Sequence, residues 1–479
     1  MQHRKVLENI NLLKKYSHNL IYDYTEYPTK GVWSTEYSDH QYRKDLQDWI
    51  ATGANSVMLY VHTPFCEELC YFCLCSKSIT KEYSKVSDYL YNSLFKEIDL
   101  YSKIINDIGK KPKIKEIYFG GGSPTYYNEA DFKKLIDKLK DIVEFKEVET
   151  FTVEIDPRRV TVEKLLFYST QGVNRLSFGV QDFDIEVQKE INRIQPPELL
   201  DSLLIPEIRK AFPIINFDIL VGLPKQTPDS MKKTIERVVK ISPDEVQPLY
   251  VHYKPGTRSY MTRMTRNVLM PDFYDRKAIY AEVIDGLING GYIRAGYENF
   301  AKPTDRLAQA MEKNTAYYNS LGTTTGEVVD FMSLGASAHG VFKNTYVQNF
   351  YEIDKYKDAV QNGKFPIYRG LNLSRDDLIR REVIKRIRVF FEINFDYLMN
   401  EFNISFKEYF KKEIDELLEF KNDGLIEISE NYIKLTELGK EFTPRIIEVF
   451  DTYLNREHFD KNINISQSSM GKVIEIIPN

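Results

Sequence analysis

Residues 60–75 read YVHTPFCEELCYFCLC, and this window holds every cysteine of the 479-residue chain: Cys66, Cys70, Cys73 and Cys75. Four thiols gathered into ten residues, with none elsewhere, mark a built device. Disulfides would be the plainest use, but thiols in a reducing compartment stay reduced, and the start, MQHRKVLENINLLKKYSHNL, carries no apolar core of a secretory signal. A four-cysteine zinc site usually takes two separated pairs that clip distant segments together. The CxxxCxxCxC spacing puts all four thiols on one loop, which clips nothing. Short loops with two or three residues between cysteines instead suit the corners of an iron–sulfur cubane. Spacing by itself leaves open which cysteines bind.

Working outward, Ser56 to His62, SVMLYVH, is a β-branched and aromatic run of strand type that Pro64 stops, so the cysteine loop hangs from the end of a first strand. Downstream, Val86, Leu90, Leu94, Ile98, Tyr101 and Ile105 form the apolar stripe of an amphipathic helix. Candidate strands follow at Glu116–Phe119, Thr150–Glu154, Arg175–Val180, Ile215–Val221 and Glu245–Val251, each trailed by a polar turn and a helical stretch. This alternation predicts an α/β fold: a parallel βα barrel of the TIM type, closed or partial, with its chemistry at the C-terminal strand ends.

Those strand ends carry residues a plain turn does not need. Gly120, Gly121 and Gly122 follow EIYF and let a ligand approach the backbone, although a tight turn would use them too. Glu154 and Asp156 share one face if their strand continues that far, and two such carboxylates need a cation or donor between them. Glu154 reads as functional, while Asp156 ahead of Pro157 reads as a helix N-cap. In INFDILVG, Ile215, Phe217 and Ile219 take one face and Asn216 and Asp218 the other, so Asp218 is expected in a polar barrel interior. Gln181 and Arg193 follow the next strand end, with Arg193 a fixed donor for a carboxylate. His62 either tunes the metal site or is simply packed.

From about Leu373 the pattern turns helical, through residues 375–393, 406–420 and a last helix in PRIIEVFDTYL. GLIEISENYIKLTELG, residues 424–439, makes two short strands around a turn, as in a winged-helix module. With 65 Lys+Arg against 70 Asp+Glu the net charge is −5, which offers no field for a polyanion, so a covering role is expected rather than nucleic-acid binding. At 42% apolar and 28% charged, with no run near the ~18 apolar residues of a membrane span, the chain is expected to be globular and cytoplasmic, with no membrane partner.

The loop YVHTPFCEELCYFCLC resembles that of the radical SAM enzymes, and the CxC pairing of Cys73 with Cys75 resembles the oxygen-independent coproporphyrinogen III oxidase (dehydrogenase), or HemN-like, family. The similarity extends from KYSHNLIYDYTEYPT (15–29) through YFGGGSPTYYN, VEIDPR, NRLSFGVQDF, INRIQ and FDILVGLPKQT to GLNLSRDDLIRREVIK and FDTYL. It implies a 4Fe-4S cluster on Cys66, Cys70 and Cys73, with the fourth iron open to S-adenosylmethionine (SAM). It further implies two SAM molecules: Tyr60, Gly121 and Glu154 would hold the first, and Phe72, Gly122, Ser123, Gln181, Arg193 and Asp218 the second. His339, in SLGASAHG, joins the cofactor-binding set, and that segment together with QPLYVHYKPGT (247–257) is more similar to related heme-chaperone and methyltransferase branches.

The implied organisation is an N-terminal segment over the active site (1–50), a radical SAM barrel (51–365), a winged-helix-like C-terminal domain (366–455) and a tail (456–479). The implied reaction is oxidative decarboxylation of two propionates of coproporphyrinogen III to vinyl groups, giving protoporphyrinogen IX in anaerobic heme synthesis. The implied partners are the tetrapyrrole and an electron donor such as flavodoxin or ferredoxin, acting on a monomer. The alternatives are a two-SAM C-methyltransferase or cyclopropanase, and a heme chaperone; against the chaperone stands the fourth cysteine, where that branch resembles CxxxCxxCxF. The basic stretch HYKPGTRSYMTRMTR (252–266) either meets propionates or forms a solvated face.

Overall fold

The strand and helix alternation is present as one twelve-stranded sheet in a computed structural model that describes residues 5–16, 24–53, 56–342 and 344–454. Its strands are β1 (Val57–Thr63), β2 (Ile114–Gly121), β3 (Thr150–Ile155), β4 (Arg175–Gln181), β5 (Ile214–Val221), β6 (Glu245–Tyr250), β7 (Ile293–Arg294), β8 (Phe300–Ala301), β9 (Asp330–Leu334), β10 (His339–Phe342), β11 (Thr345–Asn349) and β12 (Ile367–Asn372). Across the sheet they run β12-β11-β10-β9-β1-β2-β3-β4-β5-β6-β8-β7. The stretch from β9 to β6 is parallel throughout, and antiparallel strands extend both edges. The row has two ends, so the barrel is partial. β9 and the antiparallel edge β10–β12 were not read from the sequence, and they carry the sheet to Asn372.

Helices cover the outer face, which is why the central strands are apolar on that side. Ile215, Phe217 and Ile219 are fully buried there, while Asn216 and Asp218 face the interior as expected. The predicted amphipathic helix is one rod in three parts, Tyr83–Tyr89, a π-turn at Leu90–Leu94, and Phe95–Ile108, and every residue of its apolar stripe is buried.

The C-terminal part contains helices Arg375–Phe390, Phe395–Phe402 and Lys411–Asn422 and a three-stranded antiparallel sheet, β13 (Glu392–Asn394), β14 (Ile426–Ile428) and β15 (Tyr432–Leu435), in the order β13-β15-β14. Two expectations are corrected. Phe391 takes a left-handed conformation (φ 58°) that ends the first helix early and releases β13. The last helix is regular only over Thr443–Ile447, followed by a 3-10 turn at Glu448–Phe450, because the chain then extends so that Asp451 accepts the Tyr24 hydroxyl. Leu12, Tyr16, Tyr24 and Tyr27 of the N-terminal segment share one core with Ile384, Phe410 and Phe450. Residues 1–4 and 17–23 of that segment and the tail from 455 lie outside the described residues. Among the described residues no helix is long and apolar enough to cross a membrane.

Candidate active site

Pro64 ends β1 and the cysteine loop begins. Phe65–Cys66 pairs in parallel with Ser78–Ile79, closing the loop at its base. The Cys73 amide donates to the Cys70 carbonyl at 3.2 Å, and Lys77 Nζ reaches the carbonyls of Cys73 (3.1 Å) and Cys75 (3.2 Å). The Tyr260 hydroxyl also donates to the Cys73 carbonyl, and Arg258 to that of Leu74. The apolar loop residues Tyr71, Phe72 and Leu74 pack with Leu220, Val251, Met261 and Met264. Thus the basic stretch 252–266, whose side chains sequence could place only on propionates or in solvent, clamps the cysteine loop through Arg258 and Tyr260.

A cleft of about 250 Å³ opens beside the loop. Its lining includes all four cysteines together with Phe72, Gly121, Gly122, Ser123, Glu154, Gln181, Arg193 and Asp218. Tyr60 and His339 stand outside it. Tyr60 lies one layer away, its hydroxyl 2.9 Å from His62 Nδ1. His62 Nε2 sits 3.0 Å from the Ser76 carbonyl, which can only accept, so Nε2 carries the proton and Nδ1 accepts from Tyr60. Burial lowers the His62 pKa to about 4, so it is a packed, neutral ring. His339 is neutral for the same reason, its Nδ1 3.3 Å from Lys30 Nζ and its Nε2 2.9 Å from Ser320 Oγ.

Glu154 accepts from the Tyr118 hydroxyl (3.0 Å) and the Gly121 amide (3.1 Å). Burial, reinforced by the charge of Asp218, raises its pKa to about 7. Asp218 accepts from Asn216 Nδ2 (2.7 Å) and Ser177 Oγ (3.1 Å), and burial raises its pKa as well. Asp156 lies just past the end of β3 and caps the following turn, as expected, accepting the Arg158 amide at 3.1 Å. It also binds the guanidinium groups of Arg158 (2.8 Å) and Arg193 (3.2 Å), which overcome its burial and hold it at about 2. Arg193 is the carboxylate donor predicted for it, and its other Nη holds the Gly179 carbonyl at 2.9 Å. Sequence reading missed Lys77, Tyr118, Arg158, Ser177 and Tyr260. Tyr118 alone had a legible signal, standing two residues before Gly120 on the interior face of its strand.

The donor set fits an iron–sulfur cluster. Cys66, Cys70 and Cys73 lie on one wall, and Arg193 (3.6 Å) and Arg158 (3.8 Å) approach the Cys70 sulfur, where a thiolate would need them. Among the described residues no three His, Cys, Asp or Glu side chains converge on one ion position; a cubane takes its thiolates on separate irons and does not require that. The facing wall fits SAM, whose ammonium and carboxylate ask for acids and an arginine together. Its glycines are fixed by close approach: a Cβ on Gly121 (φ +111°) would stand 2.7 Å from the His62 ring, and one on Gly122 only 2.6 Å from the Phe65 carbonyl oxygen. Gly122→Ala is therefore expected to push the base of the cysteine loop aside, lowering iron content after reconstitution and costing about 1–3 kcal/mol in unfolding free energy. Wild-type iron content and melting temperature in that variant would refute the close-approach argument.

Residues 60–238 match the family model for the radical SAM superfamily, and residues 373–442 that for the HemN C-terminal domain. The oxygen-independent coproporphyrinogen III oxidase of Salmonella typhimurium is 33% identical over 457 residues, 95% of this chain and 98% of the relative. That of Pseudomonas aeruginosa is 33% identical over 445 residues, covering 92% and 95%. The structure of coproporphyrinogen III oxidase (HemN) from Escherichia coli, described as a radical SAM enzyme, superposes with a TM-score of 0.84 at 31% identity, covering 93% of this chain and 99% of that one. The chain belongs to the oxygen-independent coproporphyrinogen III oxidase family of radical SAM enzymes.

Proposed function

We propose that this protein is a coproporphyrinogen III dehydrogenase, removing two propionate carboxyl groups as carbon dioxide and leaving vinyl groups. The observation that carries the reading is one cleft in which the CxxxCxxC thiols face Glu154, Asp218 and Arg193, in a chain that matches an enzyme named oxygen-independent coproporphyrinogen III oxidase over 95% of its length. Cys66, Cys70 and Cys73 are the cluster ligands. Gly121 and Glu154 serve the SAM at the cluster, supported from outside the cleft lining by Tyr60, and Phe72, Gly122, Ser123, Gln181, Arg193 and Asp218 serve a second, with His339 outside the lining completing the cofactor-binding set. When bound, the cluster and SAM supply hydrogen abstraction at the propionate β-carbon; carbon dioxide then leaves, and an external acceptor takes the remaining electron. A small low-potential carrier of the flavodoxin or ferredoxin kind fits as donor, and a monomer divided near 50, 365 and 455 as the working unit.

The chain's own contribution is electrostatic and steric. Arg158 and Arg193 keep negative charge at Cys70 and Asp156 balanced, while Phe72, Leu220 and Leu249 form an apolar part of the lining beside the charged Glu67, Glu68 and Lys77. Glu154 is the group poised to change charge near neutrality. As pH falls through about 7 it takes up a proton and loses the negative charge offered to a SAM ammonium or ribose. SAM affinity of the reconstituted protein is therefore expected to weaken as pH falls through that range, and Glu154→Gln to flatten the profile at the weaker level. A variant that keeps the wild-type slope would assign the titration to another group.

The test of the function is a product assay. Anaerobic protein with SAM, reductant and coproporphyrinogen III is expected to release carbon dioxide and accumulate a divinyl product. Conversion of SAM to S-adenosylhomocysteine with methylated product would replace this reading by methyl transfer.

A further inference from the structure

Beside the cleft, outside its lining, Trp33 and Tyr346 stack with ring centroids 4.9 Å apart, in the aromatic cluster that also holds Tyr60. Tyr118 packs against this cluster and donates to Glu154 on the cleft wall, so the cluster reaches the cleft through Tyr118, while Tyr346 itself lies on β11, three strands beyond β1. Two guanidinium groups flank it. Arg369 lies 5.7 Å from the Trp33 centroid and Arg381 5.9 Å from the Tyr346 centroid.

Neither arginine forms an ion pair among the described residues. Arg369 is 1% exposed, yet it donates only to neutral acceptors, the Lys30 carbonyl at 2.6 Å and the Gln348 side-chain oxygen at 2.8 Å. Arg381, half-buried on the helix Arg375–Phe390, donates to the Tyr346 hydroxyl at 3.4 Å. The buried carboxylate of this region, Glu26, is already the partner of Lys385 at 3.4 Å. A buried charge without a counter-charge is costly, and a guanidinium does not escape the cost by losing its proton at neutral pH. Each guanidinium offers five N–H donors in a planar fork, most of them unused here. Arg369 has no charged partner among the described residues, and Arg381 feels only the Glu26 carboxylate that Lys385 already binds. The two forks beside the aromatic stack thus carry an excess of positive charge complementary to carboxylates on a large ring system, and a fork takes a carboxylate with two parallel hydrogen bonds.

We propose that Arg369 and Arg381 hold propionate carboxylates of the tetrapyrrole and so set its orientation toward the cleft, an assignment that rests on the coproporphyrinogen reading above. They are substrate-positioning residues that act by charge. They also give a use to a fully buried arginine inside β12 and a half-buried one on the helix Arg375–Phe390.

The test is binding of coproporphyrin III, the coloured tetracarboxylic analogue, to the reconstituted full chain, followed by fluorescence quenching. Removal of Arg369 can cost the fold, so Arg381→Gln and Arg381→Lys carry the measurement, with Arg369→Lys as the charge-preserving partner. Arg381→Gln is expected to raise the dissociation constant at least tenfold, Arg381→Lys and Arg369→Lys several-fold less, and steady-state turnover in Arg381→Gln to lose through KM more than through kcat. Arg381→Gln with wild-type affinity and KM, in a wild type that binds and decarboxylates normally, would overturn this assignment alone. A wild type that binds no coproporphyrin III and releases no carbon dioxide would overturn it together with the proposed function.

Discussion

Cys73→Ser is expected to lose the cluster and all SAM cleavage, whereas Cys75→Ser retains about four irons per chain and loses only about tenfold in activity, the scale of a group that supports a metal ligand rather than binds the metal. The two neighbouring thiols are polarised in one direction by their surroundings. Hydrogen bonding from Cys75 and the charge of Lys77 pull the Cys73 thiol well below its ordinary range, while the Cys75 thiol is pushed up by bonding to Cys73 and by burial. Cys73 is thus the more acidic thiol of the two, with Cys75 as the S–H donor beside it, while burial pushes the Cys66 thiol up as well, so the iron itself has to displace the proton there. Serine at 75 keeps a donor; serine at 73 supplies a hard alcohol where iron needs a thiolate. Cys66→Ser and Cys70→Ser are expected to behave like Cys73→Ser. Iron analysis and the visible absorption of anaerobically reconstituted variants decide the matter: loss of iron in Cys75→Ser equal to that in Cys73→Ser would make all four cysteines ligands and remove the open iron.

The largest stability effect is expected at Glu97. This carboxylate is completely buried and accepts from the Gly335 amide (2.7 Å), Asn349 Nδ2 (2.7 Å) and the Tyr356 hydroxyl (2.6 Å). It ties the helix behind the cysteine loop to β11 and to the turn after β9. Glu97→Ala strands three buried donors at roughly 1–3 kcal/mol each and leaves a void, so a loss of at least about 3 kcal/mol is expected in denaturant unfolding. The pH dependence gives a second readout. Burial raises the Glu97 pKa to about 7 in the folded state against 4.5 when exposed, so between those values the native chain binds the extra proton. Stability from this group is therefore full at pH below 4.5 and is lost as pH rises through about 7. Glu97→Ala is expected to show a shallower decline over that range, and a decline as steep as the wild type's would place the effect elsewhere.

Most of the fold and much of the site were legible because the signals were local. Strand runs, their helical partners and the cysteine loop all announce themselves within a few residues, and the glycines and acids marked for function occupy strand ends, which parallel topology gathers at one rim. Asp218 was readable because a carboxylate that alternates with Phe217 and Ile219 on a covered strand has to face a polar interior. What could not be read depends on contacts between segments far apart in the chain. Arg258 and Tyr260 meet the cysteine loop across more than 180 residues. The early helix end at Phe391, which frees β13, follows from pairing with β15 rather than from any breaker residue.

The sequence by itself therefore determined the parallel βα architecture, the cysteine loop at the end of β1 and the acids and glycines of the strand-end rim, since periodicity and spacing are properties of neighbours along the chain. Only the tertiary structure decided which charges are buried and what they face. In sequence Glu97 is one acid on an amphipathic helix, and Arg369 and Arg381 are ordinary cations on a strand and a helix. Folding buries the first against three donors and sets the other two beside an aromatic stack, Arg369 without a counter-charge among the described residues and Arg381 sharing the field of Glu26 with Lys385, because desolvation and pairing are set by what packs around a group and not by what precedes it.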